Sequence, residues 1–246
     1  MAIPASISRL AAYYKRHGFG ATLRRFSLQA KRTFFANRMV LFYCDLATLA
    51  PATTEMPSRL KVERHRTQAD IDPHDLQAIT SFWNPDLASH NINHRFALGA
   101  SLWLIRFEDK LAGYGWTLQG RTVEPHYFHL GPDDVHLFDF QVFPEYRGRG
   151  LNPLLVKYIL GSLNAESTGR AFIEAAEWNL PQRASLRNTA FRYLGLASKF
   201  KLLRRTVVCW SENDTLNQLQ KGDTKNTPMA LPHGNEPKSR LASLKH

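Results

Sequence analysis

A basic turn containing two glycines is the part of this sequence best suited to chemistry. It runs Arg147-Gly148-Arg149-Gly150 and joins an apolar stretch to a segment with a helical pattern. Glycine lets the backbone approach a ligand closely, and a helix N-terminus offers free N–H groups and a partial positive charge. Because two guanidinium groups stand nearby, the turn predicts an anion site suited to a phosphorylated cofactor.

The segments on either side of the turn have the patterns of a strand and a helix. Residues 135–143 are almost continuously apolar, as in a strand covered on both faces. Residues 152–164 carry apolar side chains at helical spacing, with Asn152 as a favoured N-cap and Pro153 at the first helical position. The turn lacks the motifs of a P-loop and of a dinucleotide site, so both of those interpretations are disfavoured.

This region resembles the GNAT superfamily of acyl-CoA-dependent N-acetyltransferases. Members carry Arg/Gln-x-x-Gly-x-Gly/Ala after a strand ending in Val-x-Pro, and this chain has Val142-Phe143-Pro144 followed by the basic turn. The second small residue of the motif falls on Asn152, which departs from the family pattern. The resemblance implies an α/β fold with a mixed, mostly antiparallel central sheet flanked by helices on both faces.

The resemblance also implies a co-substrate, acetyl-CoA or another acyl-CoA, and no metal. The strand would pair with the pantetheine arm, and the turn would hold the pyrophosphate. A second segment similar to the family, at 172–196, contributes an asparagine to the site. The residues expected to bind the cofactor are Phe140, Gln141, Val142, Arg147, Gly148, Arg149, Gly150, Leu151, Asn152, Pro153 and Asn179.

Acyl transfer to an amine needs a base, because an ammonium group cannot attack a thioester. The resemblance offers Glu174 on the strand beside the cofactor strand, which is preferred, and His136 on the cofactor strand itself. A carboxylate paired with a neighbouring arginine is the structural alternative for Glu174. Asp139 is a third candidate, since a carboxylate in so apolar a strand needs a partner. Regular alternation would place His136 and Phe140 on one face and Asp139 on the other. The resemblance leaves an alternative open, because the family usually has a bulge in this strand that would change which residues share a face.

The acid that protonates the leaving thiolate is less well defined. The tyrosine of the family falls on Phe191, and Tyr193 lies about 200° further around the predicted helix, so water could take the role. His126 and His129 have a spacing seen in metal sites, but no cysteine or clear third ligand accompanies them. The sequence therefore predicts no metal site.

Composition indicates a single domain with extensions. A chain of 246 residues can bury a sizeable core. Cys44 and Cys209 give no disulfide framework, and no secretory signal is evident, so we expect a cytoplasmic protein.

The N-terminal segment is basic and amphipathic. It contains no acidic residue before Asp45, and its net charge contributes to the +11 of the whole chain. Residues 1–40 could pack on the domain, or could bind an anionic membrane surface at the inner face of the membrane. Nucleic acid or an acidic protein is a further alternative, with nucleic acid the less favoured partner.

The organisation follows from these patterns. A basic helical extension at 1–50 precedes a GNAT-like domain at 60–210, and a polar tail at 211–246 is expected to be disordered. Strands are predicted at 60–64, 101–107, 111–118, 135–143, 170–176 and 201–210, helices at 72–83, 152–164 and about 183–194, and a polar loop at 85–94.

The expected activity is transfer of an acetyl or short acyl group to a primary amine by direct attack in a ternary complex. The acceptor would be a small molecule or a polymer, and the basic extension hints at an amino sugar or an envelope or polysaccharide precursor. The alternative is a catalytically weak GNAT-fold binding or regulatory module that contacts membrane or nucleic acid through the N-terminus. Asn152 and Phe191 are the residues that favour this alternative.

Overall fold

The computed structural model describes residues 38–49, 56–82, 85–166, 169–202, 205–212 and 215. The strands are β1 (Arg38–Asp45), β2 (Leu60–His65), β3 (Ser101–Phe107), β4 (Lys110–Gln119), β5 (Val135–Val142), β6 (Arg170–Ala176), β7 (Arg192–Leu202) and β8 (Arg205–Glu212). The helices are α1 (Pro73–Ser81), α2 (Pro85–Ala97), α3 (Leu151–Ala165) and α4 (Leu180–Arg187). The strands form one 8-stranded sheet in the order β2-β3-β4-β5-β6-β1-β7-β8.

Helices cover both faces of this sheet, as predicted. Along β3, Trp103 and Ile105 pack in a cluster with α3, whereas Leu102 and Leu104 pack in a second cluster with α1 and α2. This alternation follows from the two-residue period of a strand. We call the two sides the α3 face and the α2 face. A mixed, mostly antiparallel sheet between helices confirms the predicted fold class.

The one parallel pairing in the sheet, between β5 and β6, is short. It joins Val135 to Ala171, His136 to Phe172 and Leu137 to Ile173, and it does not continue beyond these pairs. Every other pairing of neighbouring strands is antiparallel. The two strands therefore separate in the middle of the sheet, just before the glycine turn.

The central position of β1 corrects the predicted domain boundaries. Arg38–Asp45 was assigned to the helical extension, but it is a strand that pairs with β6 on one side and β7 on the other. Val40 and Phe42 are buried on the α3 face, and Leu41 is buried in the cluster on the opposite face. An apolar segment buried on both sides suits a central strand. The domain thus includes residues well before Leu60.

Three further elements differ from the prediction. The predicted polar loop at 85–94 is part of α2, which starts with a proline and buries Ala88 and Ile92, four residues apart. The predicted helix at about 183–194 ends at Arg187, and the chain continues as β7. A Cβ on Gly195 would collide with the carbonyl oxygen of Glu212, so the glycine permits the close approach of β8. The single strand predicted at 201–210 is instead a β7–β8 hairpin.

The other expected strands are confirmed at 60–65, 101–107, 110–119, 135–142 and 170–176. The predicted basic amphipathic helices before Arg38 and the predicted disordered tail after Glu212 lie outside the described residues, apart from residue 215. None of the helices among the described residues has the length and apolar character needed to cross a membrane.

Candidate active site

The segment after β5 forms a 3-10 turn, Pro144–Tyr146, and then passes through two glycines into α3. Gly148 and Gly150 have φ angles of 77° and 71°, a left-handed conformation that other residues rarely adopt. A Cβ at either position would meet no atom within 4 Å, so the backbone conformation rather than space calls for glycine. The first N–H groups of α3 lack intrahelical acceptors. This end of the helix is therefore a suitable anion site.

A cleft of 680 Å³ opens between the end of β5, the glycine turn and α4. Its walls contain all the predicted cofactor residues except Arg149, namely Phe140, Gln141, Val142, Arg147, Gly148, Gly150, Leu151, Asn152, Pro153 and Asn179. The structure thus brings these residues together around one space. Their contact with a cofactor remains a prediction.

The two arginines of the turn have different surroundings. Arg147 lines the cleft, and its Nε donates to the carbonyl oxygen of Val142 at 3.1 Å. Arg149 lies over two rings, with its Cζ 4.9 Å from the centroid of Phe107 and 5.7 Å from that of Tyr146. It lines a separate cavity of 400 Å³. Of the two guanidinium groups, Arg147 is therefore the one placed to meet an anion in the cleft.

Two asparagines hold the helical walls of the cleft. The N-cap of α3 is Gly150, so the prediction that Asn152 caps this helix is wrong. The side-chain Nδ2 of Asn152 instead donates to Ser185 Oγ of α4 at 2.9 Å. Asn179 caps α4, because its Oδ1 accepts from the backbone N–H of Gln182 at 3.3 Å. Asn152 therefore joins the two helices rather than occupying the anion site.

His136 of β5 and Glu174 of β6 form a hydrogen-bonded pair where the two strands separate. The residues beside them along each strand pack on the α3 face, so both side chains lie on the opposite face. His136 Nε2 lies 2.8 Å from Glu174 Oε2, and the side chains are 8% and 18% exposed. The two candidate bases are thus one unit, and neither pairs with an arginine in the part of the chain that the structure describes.

His126 joins this pair from the loop between β4 and β5. Its ring centroid lies 4.9 Å from that of His136, and one nitrogen or oxygen from each of His126, His136 and Glu174 lies within 4.8 Å of the others. Sequence reasoning compared His126 with His129 and did not place it beside His136 and Glu174. No local pattern could have found it, because the three residues come from three separate segments.

The charges around the pair are set by burial and by a few neighbours. Burial would raise the pKa of Glu174, but the neighbouring His136, which is hydrogen-bonded to it, outweighs burial and lowers that pKa. Burial lowers the pKa of His126 to about 4, so this imidazole is neutral at neutral pH. An ionised carboxylate only accepts hydrogen bonds. His136 Nε2 therefore carries the hydrogen in this pair.

A bulge in β5 changes which face each of the following residues occupies. Asp139 has a φ of 50°, and Asp139 and Phe140 together oppose Gly115 of β4. Asp139 accepts a charge-assisted hydrogen bond from Arg95 on α2, whereas Phe140 packs on the α3 face. The predicted alternation is therefore wrong, because the extra residue of a bulge shifts the register by one. Asp139 and His136 lie on the same side of the sheet.

Neither the candidate acid Tyr193 nor Phe191, the residue at the position of the family's tyrosine, lies beside this pair. Phe191 is buried on the α3 face, and Tyr193 lies on β7 rather than on a helix. The ring of Tyr193 contacts Phe42, also on the α3 face, and its hydroxyl donates to Glu212. Burial and this hydrogen bond raise the pKa of Tyr193 to about 12. Tyr193 and Glu174 therefore occupy opposite faces of the sheet.

The cleft and the pair are connected through Gln182. This residue lines the cleft, and its Nε2 lies 3.5 Å from the carbonyl oxygen of Glu174. An anion site and a hydrogen-bonded pair of candidate bases thus lie near one another beside β5 and β6. Such an arrangement can hold a phosphorylated donor and deprotonate a second substrate.

Comparison with known proteins gives a family match. The sequence profile of the acetyltransferase (GNAT) family matches residues 68–191. A search of curated proteins finds no match to the chain.

Several solved structures are similar to it. A putative GNAT acetyltransferase from Novosphingobium aromaticivorans is 14% identical with a TM-score of 0.46, over 65% of this chain and 61% of that one. A GCN5-related N-acetyltransferase from Sphaerobacter thermophilus is 13% identical with a TM-score of 0.46, over 76% of this chain and 56% of that one. A GCN5-related glucosamine N-acetyltransferase region of a fungal multi-domain GH3 β-N-acetylglucosaminidase is 14% identical with a TM-score of 0.47. The match covers 68% of this chain and 22% of that one. The chain spans less than two thirds of each of these structures.

Proposed function

The chain belongs to the acetyltransferase (GNAT) family, and on that premise we propose that it transfers an acetyl or short acyl group from acyl-CoA to a primary amine. The observation that carries the proposal is that an anion site and a hydrogen-bonded candidate base both lie beside β5 and β6, two strands that pair over only three residue pairs. The anion site at the N-terminus of α3 lies in the cleft, and the His136–Glu174 pair lies where β5 and β6 separate.

In the proposed reaction the cofactor is bound by its charges and its extended arm. The N–H groups at the start of α3 and the guanidinium of Arg147 hold the pyrophosphate. The pantetheine arm lies along the part of β5 that β6 leaves unpaired, near Val142. The thioester carbon is thereby directed toward the opening between the strands.

The His136–Glu174 pair removes the proton that keeps the acceptor unreactive. The ammonium group loses a proton to the pair, directly or through water, and the free amine attacks the thioester carbon. A C–N bond forms and the C–S bond breaks. The attacking nitrogen then loses its second proton, and water carries a proton to the departing coenzyme A thiolate, so that the products are an amide and a thiol. No covalent intermediate on the protein is needed, because both substrates are present together.

For the acceptor we propose an amine of an amino sugar or of an envelope or polysaccharide precursor. The basic residues before Arg38 support a substrate at an anionic surface. We also propose that the protein is cytoplasmic and that this segment provides peripheral contact with the inner face of the membrane.

The test of cofactor binding uses two glycines with similar backbone conformations. Gly150→Glu introduces a carboxylate at the N-terminus of α3, and we expect acetyl-CoA affinity to fall by about 100-fold or more, equivalent to about 2.7 kcal/mol. Gly99→Glu is the matched control, because Gly99 has a φ of 85° and equally open space and lies outside the cleft. Calorimetry should show unchanged affinity in the control. Equal acetyl-CoA affinity in both variants would contradict the placement of the cofactor at the glycine turn.

Turnover separates the enzyme from the regulatory module. The full chain is incubated with acetyl-CoA and a panel of amines that includes glucosamine, and released coenzyme A is measured. Release that depends on one amine supports the transferase. Tight acetyl-CoA binding without release for any amine would favour a binding module instead.

A further inference from the structure

Three side chains with metal-binding atoms meet on the face opposite α3. His126 comes from the loop after β4, His136 from β5 and Glu174 from β6, and one atom of each lies within 4.8 Å of the others. Such a group differs from an acidic cluster on a surface, because His136 is 6% exposed. Two imidazoles and one carboxylate form a ligand set used by catalytic metal sites.

Two nitrogens of this cluster lack partners. His126 Nε2 and His136 Nδ1 are both buried and have no hydrogen-bond partner among the described residues. A buried polar atom without a partner is destabilising, so two in neighbouring rings suggest an occupant that the described residues do not provide. Lys199 does not fill this role, because its Nζ donates to the carbonyl oxygen of Pro125 at 2.9 Å.

From this geometry we infer that His126, His136 and Glu174 bind a divalent transition-metal ion, with Zn²⁺ as the best fit. Zinc accepts imidazole and carboxylate ligands together, whereas Ca²⁺ and Mg²⁺ prefer oxygen ligands alone. Three protein ligands leave a fourth tetrahedral position for water. Zn–N bonds of about 2.1 Å place tetrahedral ligands about 3.4 Å apart, a spacing within the 4.8 Å limit of the cluster.

The loop that carries His126 provides an entry path. His126 lines a cavity of 400 Å³ formed by residues 120–126 and 128–130. An ion can reach the imidazole from that cavity without crossing the core.

A bound ion would compete with acyl transfer. The ion uses the lone pairs of His136 and Glu174 that would otherwise accept the amine proton, so metal binding and proton acceptance exclude one another. Zinc should therefore inhibit turnover reversibly, and a chelator should restore it. This consequence alone rests on the proposed function, whereas the binding site does not.

The test measures Zn²⁺ binding to the full chain by calorimetry and Co²⁺ binding by visible absorption. We expect one high-affinity site whose affinity falls by about 100-fold or more in His126→Ala and in Glu174→Gln, because each loses a direct ligand. The control is His129→Ala, which removes a histidine from the same loop but outside the cluster. It should bind zinc as the unaltered chain does.

Circular dichroism checks that each variant is folded, and His126→Gln replaces His126→Ala if the latter is not. Loss of the site in the ligand variants and its retention in the control supports the proposal. Equal zinc affinity in the unaltered chain, His126→Gln and Glu174→Gln would overturn it. Acetyl-CoA affinity measured in parallel shows whether the proposed function has failed separately.

Discussion

A hydrogen bond between His136 and Glu174 joins the two candidate bases into one pair. Removing either partner should therefore disable the same step. We expect Glu174→Gln and His136→Asn each to lower kcat by about 10²–10⁴. The double variant should lose little more than the more severe single variant, because residues acting as a unit are not additive.

The measurement is the initial rate of coenzyme A release at saturating acetyl-CoA with the acceptor found in the amine panel. Glu177→Gln is the control, since Glu177 lies three residues further along and pairs with Arg38 at 3.3 Å. It should retain full activity, and all variants should bind acetyl-CoA normally. Losses that simply add in the double variant would show two independent roles.

The two cysteines should differ strongly in reactivity. Cys44 is 2% exposed, and burial with the nearby Asp45 raises its pKa to about 11, whereas Cys209 is exposed. The thiolate is the reactive form, so a raised pKa lowers the reactive fraction at any pH below it. At pH 8, iodoacetamide should modify Cys209 and leave Cys44 unmodified until the protein unfolds. Mass spectrometry of the digested protein measures the modification of each cysteine. Equal modification of Cys44 and Cys209 in the folded protein would contradict this expectation.

At the scale of elements, the bulge in β5 decides which residues of this strand lie on each face of the sheet. Its left-handed residue is Asp139, held by Arg95, whose guanidinium lies 5.1 Å from the ring centroid of Trp116. Asp139→Ala loses the ion pair and keeps an unfavourable φ, so we expect the free energy of unfolding to fall by about 1–3 kcal/mol. Urea denaturation measures this loss.

Asp139→Gly separates the two contributions to that loss. Glycine also lacks the carboxylate, but it adopts the left-handed conformation without steric cost. We therefore expect the glycine variant to be more stable than the alanine variant by about 1 kcal/mol. Equal stability of the two would show that the φ of Asp139 carries no strain.

At the scale of the molecule, β1 holds the two halves of the sheet together. It lies between β6, which carries Glu174, and the β7–β8 hairpin. A chain that begins at Leu60 would lose this strand and expose the apolar residues that it covers. We expect that chain to be unfolded or aggregated, and a chain that begins at Arg38 to fold.

Cooperative thermal unfolding and size-exclusion chromatography distinguish these outcomes. A cooperative, monomeric chain beginning at Leu60 would contradict the structural role of β1. The chain beginning at Arg38 is also the proper reference for membrane binding by residues 1–37, which remains a prediction. We expect the full chain to sediment with anionic vesicles at low salt and to be released at high salt, and the chain beginning at Arg38 to stay in solution.

Local signals explain what could be predicted from the sequence. The basic glycine turn, the strand before it and the helix after it depend on backbone preferences and short apolar periodicities. These preferences act within a few residues, and the structure places the turn directly before α3. The resemblance carried by this segment and by residues 172–196 indicated the fold class and ten of the sixteen residues that line the cleft.

The tertiary structure decided what depends on partners far away in the chain. The apolar segment before Asp45 suits several environments, and its pairing with β6 and β7 makes it a central strand. The bulge at Asp139 is decided by the ladder with β4 and the ion pair with Arg95. His126 reaches His136 and Glu174 because folding brings three segments together. Such long-range contacts have no local pattern, since their energy depends on residues that are neighbours only in the folded chain.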